Sequence, residues 1–336
     1  MRQLNLHGAG DLRIDEAPTP QPGPRDIVMK VAACGICGTD LTLLRHGPGS
    51  RCPMPLGHEA AGVVQTIGSE VVGVRQDMRV VINPASTNDV IGCGGPEGAF
   101  ADYLLVREAE LGRSVFPIPE GMSFAAAALA EPLAVARHGV ERANPGPDDR
   151  VVVFGVGPIG LGAVIWLRRR GVKQFAVVDL NDQRLARAKA LGAPHIINPG
   201  EVDLKETLKE IFGAAETAMG QDAVNVDMFL DMAAAPSVPN QIVCMAKKHA
   251  KLVVTSSYRV PVEIDFHRLL LSEMTITAAV GYPDELGQVM ADITELSDEL
   301  EMMISHRLPF GQILQAFDVA RSSDAAKVII EFDGAA

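Results

Sequence analysis

The sequence predicts an α/β chain in which an irregular β-rich domain is followed by a doubly wound parallel sheet. Three observations carry that expectation. Near residue 130 the texture changes from short β-type runs broken by Gly and Pro to a regular alternation of strand-like and helix-like stretches. The strands of the second part are near-continuous apolar runs, the pattern of strands covered by helices on both faces. A G-x-G-x-x-G, with Gly155, Gly157 and Gly160, leaves one of those strands and opens a helix.

In chain order, the β-type runs of the first part are DIVMKVAA, EAAGVVQTIG, DMRVVINP and GAFADYLLV, while LTLLRHGPGSRCPMP reads as a loop. From residue 150 to 281 the alternation runs RVVVFGVG, PIGLGAVIWLRRRG, QFAVVDL, DQRLARAKALG, PHIIN, DLKETLKEIFG, VDMFLDMA, a helix over 242–247, KLVVTSS, DFHRLLLSE and TITAAVG. Helical DELGQVMADITEL and GQILQAFDVARSS follow, then a strand, AKVIIEF, and a short tail expected to fray. A chain of 336 residues suits two domains. With no long linker between them, the domains are expected to pack closely around a ligand cleft.

Thirty Lys and Arg against 42 Asp and Glu leave a net charge of −12, which gives nucleic acid and anionic membranes no general reason to bind. No apolar run is long enough for a signal peptide or a membrane span, so a cytoplasmic protein is expected. Five cysteines are too few for a disulfide framework, and an odd count fits a reducing compartment in which a thiolate can hold metal.

In the glycine motif each Gly has a mechanical role: a tight turn, close approach of backbone to a pyrophosphate, and close packing of helix on strand. Pro158 and Ile159 fill the two positions before Gly160. Alone, the pattern also describes a ligand-free strand-to-helix turn. The next strand ends in Asp179, 19 residues past Gly160 (179 − 160), near the spacing of about 20 for a carboxylate on a ribose 2′-hydroxyl. A carboxylate there repels a 2′-phosphate, so NAD is expected over NADP. Arg184 either stacks on the adenine or is a solvated charge on its helix.

The β-rich part carries CGICGTD, with Cys34, Cys37, Thr39 and Asp40, and LGHEAAG, with His58 and Glu59. A thiolate, an imidazole and carboxylates suit tetrahedral zinc, whose catalytic sites use three protein ligands and keep one position open. The C-x-x-C equally describes a redox pair or half a zinc knuckle, and the histidine a structural residue.

Taken in order, CGICGTD, GHEAAG, AEPLAVA, GVGPIG and the Asp closing the second nucleotide-binding strand resemble the zinc-containing medium-chain dehydrogenase/reductase family, and within it the polyol (sorbitol) and threonine dehydrogenase branch. The likeness covers nearly the whole chain. It implies a GroES-like catalytic domain over 1–133, a Rossmann NAD-binding domain over 134–283, and a return to the catalytic domain over 284–336. It also implies hydride transfer between NAD(H) and a secondary alcohol or polyol, with zinc acidifying the hydroxyl. Cys37 and His58 become ligands, Cys34 a packing residue, and the third ligand a carboxylate, Glu59 ahead of Glu131. The residue-level alternative for Glu131 is a charge at a helix N-terminus. Asp40 would fix the ring of His58. Thr39 would carry the alcohol proton, though Thr42 stands where the family often relays through a histidine, and His46 is the nearby substitute.

Two departures bear on substrate. Gly281 precedes Tyr282 where the polyol branch has an arginine, and Leu43 and Leu44 follow the ligand motif, so a less polar secondary alcohol is plausible. Where many relatives carry a four-cysteine structural zinc lobe, NPASTNDVIGCGGPEG offers only Cys93, with Asp89 and Glu97 as acids, so one zinc per chain is expected. TITAAVG resembles the strand through which the family pairs subunits, implying a homodimer or homotetramer. The rival functions are a zinc-independent reductase of the same superfamily and a non-catalytic NAD-binding protein.

Overall fold

The structure is a computed structural model that describes residues 1–334; the last two residues of the short tail lie outside the described residues. The chain divides into two units, Met1–Glu131 together with the chain from Leu286 onward, and Pro132–Glu285.

The first unit opens with an antiparallel hairpin, β1 (Arg2–Gly8) and β2 (Asp11–Glu16), and continues through β3 (Ile27–Gly35), α1 (Gly38–His46), β4 (Met54–Pro55), β5 (Glu59–Ile67), β6 (Arg79–Ile82), β7 (Tyr103–Val106), β8 (Val115–Pro117) and α2 (Phe124–Ala128). Helix α3 (Ala130–Ala143) leads into the second unit. The expected loop after the cysteine motif is therefore in part the helix α1. Its cap is supplied by Cys37 itself, and Leu44 is buried in the core of the first unit with Leu43 packed against it. That placement supports a packing role for both leucines.

The second unit runs β9 (Arg150–Phe154), α4 (Pro158–Arg169), β10 (Gln174–Val178), α5 (Asp182–Ala190), β11 (His195–Ile197), α6 (Leu204–Phe212), the hairpin β12 (Ala214–Glu216) and β13 (Asp222–Val224), β14 (Met228–Asp231), α7 (Val238–Met245), β15 (Lys251–Val254), α8 (Phe266–Ser272) and β16 (Thr275–Ala278). Helix α7 starts and stops earlier than the expected 242–247. Pro239 is tolerated in its first turn, and Lys247 and Lys248 fall outside it. Among the described residues a six-stranded sheet runs β11-β10-β9-β14-β15-β16, and every neighbouring pair is parallel. The chain moves outward from β9 to β11 and then returns to the other side of β9 at β14. The order therefore reverses between β9 and β14, which is where open α/β sheets bind ligands, beyond the carboxyl ends of the strands.

The chain then closes the first unit with α9 (Glu285–Asp292), α10 (Ser297–Met303), β17 (Ile304–Pro309), α11 (Ile313–Ala320) and β18 (Lys327–Glu331). A 3-10 turn at Ile293–Leu296 separates α9 from α10, so DELGQVMADITEL is not one helix. The larger sheet of this unit is ordered β17-β18-β3-β5-β6-β8, with β7 also on β3. In it β18 pairs with β3, Ile329 opposite Gly35 and Ile330 opposite Cys34.

Candidate metal centre and dinucleotide turn

The sequence CGTD is a helix start as well as a ligand motif. Cys37 is the N-cap of α1; its Sγ accepts from the Thr39 N–H at 3.4 Å, and Asp40 Oδ2 accepts from the Cys37 N–H at 2.8 Å. Cys37 thus places its sulfur at the N-terminus of α1, against the backbone N–H groups of the first turn. Gly35, at the end of β3, pairs with Glu59, the first residue of β5, so the strand register brings His58 and Glu59 beside the start of α1.

One group of potential ligands results among the described residues: Cys37, His58 and Glu59 offer atoms that all lie within 4.8 Å of one another. Cys37 is half-buried, and His58 and Glu59 are buried. Glu131, buried in the first turn of α3, is outside that group, although its charge reaches Lys327. Cys34 lies fully buried in the core on β3, and burial pushes its thiol well above the usual range. That environment suits packing and counts against a redox pair with Cys37, since reactive thiols are acidic and accessible.

The buried polar groups fit a zinc ion. Asp40 Oδ1 is buried without a hydrogen-bond partner among the described residues, 3.8 Å from His58 Nδ1. Burial raises the Asp40 pKa against the pull of His58. For His58, burial opposes the charged ring, yet Asp40 and then Cys37 outweigh it and hold its pKa well above the ordinary imidazole value. A cluster that draws in positive charge this strongly accepts it as protons or as a cation, and ligation requires the neutral ring.

Two neighbours of the centre were not legible from motifs. Lys327 is 1% exposed; its Nζ donates to both carboxylate oxygens of Glu59 at 2.7 Å and to the Ile36 carbonyl at 3.1 Å. Gly35 leaves room for that carboxylate, because a Cβ there would stand 2.0 Å from Glu59 Oε2. Cys93 Sγ lies 3.4 Å from His58 Nδ1, closer than Asp40 does. A lysine inside an apolar closing strand was the available signal for the first, since buried ammonium groups need partners. Nothing in the sequence links Cys93 with His58.

Thr39 is partly exposed in the first turn of α1, and Thr42 Oγ1 donates to the Gly38 carbonyl at 2.9 Å. His46 is exposed in the last turn, roughly 10 Å along the helix axis from Thr39 at 1.5 Å per residue.

At the dinucleotide turn Gly155 has φ +85°, and a Cβ on it would stand 2.6 Å from Ala233 Cα. A Cβ on Gly160 would stand 1.9 Å from the Gly155 carbonyl oxygen, so α4 packs directly onto the turn. Gly157 is the N-cap of α4, with Pro158 in its first turn, and makes no side-chain cap. Ile159 is partly exposed in the same turn. Asp179 follows β10; its Oδ2 accepts from the Val156 N–H at 2.8 Å and its Oδ1 from the Asn181 N–H at 2.9 Å. Arg184 is half-buried in the first turn of α5.

The family models for the alcohol dehydrogenase GroES-like domain and for zinc-binding dehydrogenases match residues 23–120 and 158–295. The chain belongs to the zinc-containing medium-chain dehydrogenase/reductase family. Members similar to it along almost their whole length include the (R,R)-butanediol dehydrogenase of Neisseria gonorrhoeae, 27% identical over 98% of this chain and 99% of the relative. The sorbitol dehydrogenase of Mus musculus is also 27% identical, over 98% and 95%. Among solved structures, an Escherichia coli alcohol dehydrogenase complexed with NADH superposes with a TM-score of 0.85 at 25% identity, covering 99% of each chain. The two units described above are thus a GroES-like domain and a Rossmann-type domain, and the family's cofactors are zinc and a nicotinamide dinucleotide.

Proposed function

We propose that this family member transfers hydride between a secondary alcohol or polyol and NAD(H), using one zinc held by Cys37, His58 and Glu59. The observation that carries the reading is the convergence of thiolate, imidazole and carboxylate within 4.8 Å in a chain that also builds the Gly155–Gly160 turn. When bound, zinc supplies the Lewis acidity that lets a hydroxyl lose its proton near neutral pH, and NAD supplies the hydride acceptor.

The chain's own residues do the rest. Thr39 takes up the alcohol proton. Thr42 is engaged with the Gly38 carbonyl and His46 lies too far along α1 to receive directly, so neither takes that proton from Thr39, which would release it to water or to the cofactor when bound. Cys93 and Asp40 orient His58. Lys327 orients Glu59 and offsets its charge; an ionised carboxylate has about four lone-pair sites, so Glu59 can accept from Lys327 and still offer a ligand oxygen. Glu131 tunes the same field from α3.

The free start of α4, with Gly157, Pro158 and Ile159, receives the pyrophosphate. Asp179 receives the ribose hydroxyls and so favours NAD over NADP, with Arg184 against the adenine. The relatives named for butanediol and sorbitol suggest a vicinal diol or polyol, while Gly281 before Tyr282 favours the less polar end of that range. No helix is long and apolar enough to cross a membrane among the described residues, and all five cysteines are free, which supports a cytoplasmic setting. Among the described residues β16 ends the sheet with an unpaired edge bearing Ile276 at 40% exposure, with Val280 beyond it at 88%; a second copy pairing there gives a homodimer or homotetramer.

Oxidation of 2,3-diols, polyols, threonine and apolar secondary alcohols with NAD and with NADP, followed by NADH or NADPH absorbance, tests the assignment. Activity is expected with NAD, lost in Cys37→Ser with NADH binding retained. Full activity after metal removal would leave a zinc-independent reductase.

A further inference from the structure

The carboxyl end of β14 carries a buried polar cluster that the zinc and adenosine contacts do not use. Asp231 is the last residue of β14 and fully buried. Its Oδ2 lies 2.5 Å from Tyr258 Oη; its Oδ1 accepts from the Ala233 N–H at 3.1 Å and from Ser256 Oγ at 3.2 Å. Ser256 Oγ in turn accepts from the Ala234 N–H at 2.8 Å, and Tyr258 Oη lies 3.3 Å from the Ala235 carbonyl. Residues 256–258, beyond β15, therefore clasp residues 232–235, beyond β14, through one carboxylate. The clasped segment is strained, since Ala234 sits at φ +54° without being glycine.

What the clasp holds is the other face of the glycine turn. Ala233 Cα is the atom a Cβ on Gly155 would strike, and the Met232 N–H donates to the Phe154 carbonyl at 2.8 Å. Segment 232–235 thus stands directly across the point where the strand order reverses. A doubly wound sheet takes one mononucleotide on each side of that point. Asp179 stands on the β10 side, the adenosine side in our reading, so the β14 side receives the nicotinamide half.

We propose that Tyr258, through Asp231, is a positioning residue for the nicotinamide half of the dinucleotide: its hydroxyl latches segment 232–235 into the wall that the nicotinamide mononucleotide meets. The proposal rests on the dinucleotide reading above. Burial and the neighbouring carboxylate hold the Tyr258 phenol far above its usual pKa, so the latch keeps its proton at neutral pH. A tyrosine hydroxyl is a fitting latch because its ring packs while its tip makes one directed bond.

Tyr258→Phe removes that bond and leaves Asp231 its bonds to Ala233 and Ser256, so the fold should survive. Fluorescence titration of the full chain with NADH, and calorimetric titration with AMP, separate the two halves of the ligand. The expected result is NADH binding weakened roughly three- to tenfold, the worth of one net hydrogen bond, with AMP affinity unchanged and the KM for NAD raised more than kcat is lowered. Ser256→Ala, which cuts the same clasp elsewhere, should shift NADH in the same direction. Equal losses for NADH and AMP would mean a merely structural role and overturn the latch, as would unchanged NADH binding in Tyr258→Phe. A wild-type chain that bound neither ligand would remove the dinucleotide reading itself, and the latch with it.

Discussion

Lys327 is an ammonium withdrawn from water, and the cost of its burial is offset by Glu59 and the Ile36 carbonyl. Burial works against its charge, but Glu59, then Cys37, outweigh it and raise its pKa. Breaking a buried pair from one side leaves the other charge uncompensated, which costs about 3–5 kcal/mol. Lys327→Met should therefore lower the urea midpoint sharply when measured with chelator present. Zinc should restore more stability to this variant than it adds to the wild type, because the released Glu59 carboxylate then has a cation to meet. Equal zinc increments in the two proteins would show that Glu59 does not face the metal. At this scale the grouping of Cys37 with His58 and the place of Asp179 beside the glycine turn were legible because each residue sits in a motif whose spacing is local. Lys327 and Cys93 were not, because their partners, 268 and 35 residues away, are brought to them by strand pairing and loop packing.

The element that turns the cysteine motif into a site is α1, whose first turn arranges Cys37, Thr39 and Asp40 within one capping box. Gly47, Pro48 and Gly49 made the whole stretch after the motif read as loop, but its first six residues, 41–46, complete α1, with Leu44 buried and Leu43 packed against the core. Amphipathic burial outweighed the breakers, which act only where the helix ends. At the other edge of the same unit, β1 is fastened just ahead of β7 by Arg2. Asp102 accepts from the Arg2 backbone N–H at 2.7 Å and from its guanidinium at 2.8 Å. Burial raises the Asp102 pKa, but the bonds from Arg2 overcome this and hold it below the usual carboxylate range. A carboxylate depressed in the folded state stabilises above its unfolded pKa, about 4, and that stability is lost as the pH falls through the folded value. Asp102→Asn should accordingly cost about 1 kcal/mol at pH 7, a modest figure because the guanidinium is partly exposed, and the deficit should shrink as the pH is lowered below about 4. Urea unfolding of both proteins across that range measures it; a deficit independent of pH would mean that the charge of Asp102 plays no part.

On the scale of the molecule, the parallel sheet was legible because its apolar strands and helices follow one another in sequence, whereas the β-rich unit closes through β17 and β18, from the far end of the chain. Closure of that kind is set by non-local pairing, which a reading of successive runs does not contain. The segment ahead of β7 shows the consequence for metal binding. Its single thiol, Cys93, is folded back onto His58: Gly92 packs so tightly on the Gly57 backbone that a Cβ would stand 2.0 Å from the Gly57 carbonyl oxygen, and Cys93 bridges to Leu56. Glu97 is engaged by Arg107 at 2.8 Å, which leaves Asp89 as the segment's other acid. A closed structural zinc needs four ligands, mostly sulfur and imidazole, and this segment has already committed its one sulfur elsewhere. The protein should therefore hold one zinc per chain after exhaustive dialysis, as measured by mass spectrometry, and Cys93→Ser should leave that stoichiometry at one while Cys37→Ser reduces it toward zero. A reproducible two zinc per chain, or loss of half the metal in Cys93→Ser, would place a second ion where these residues offer no set to bind it.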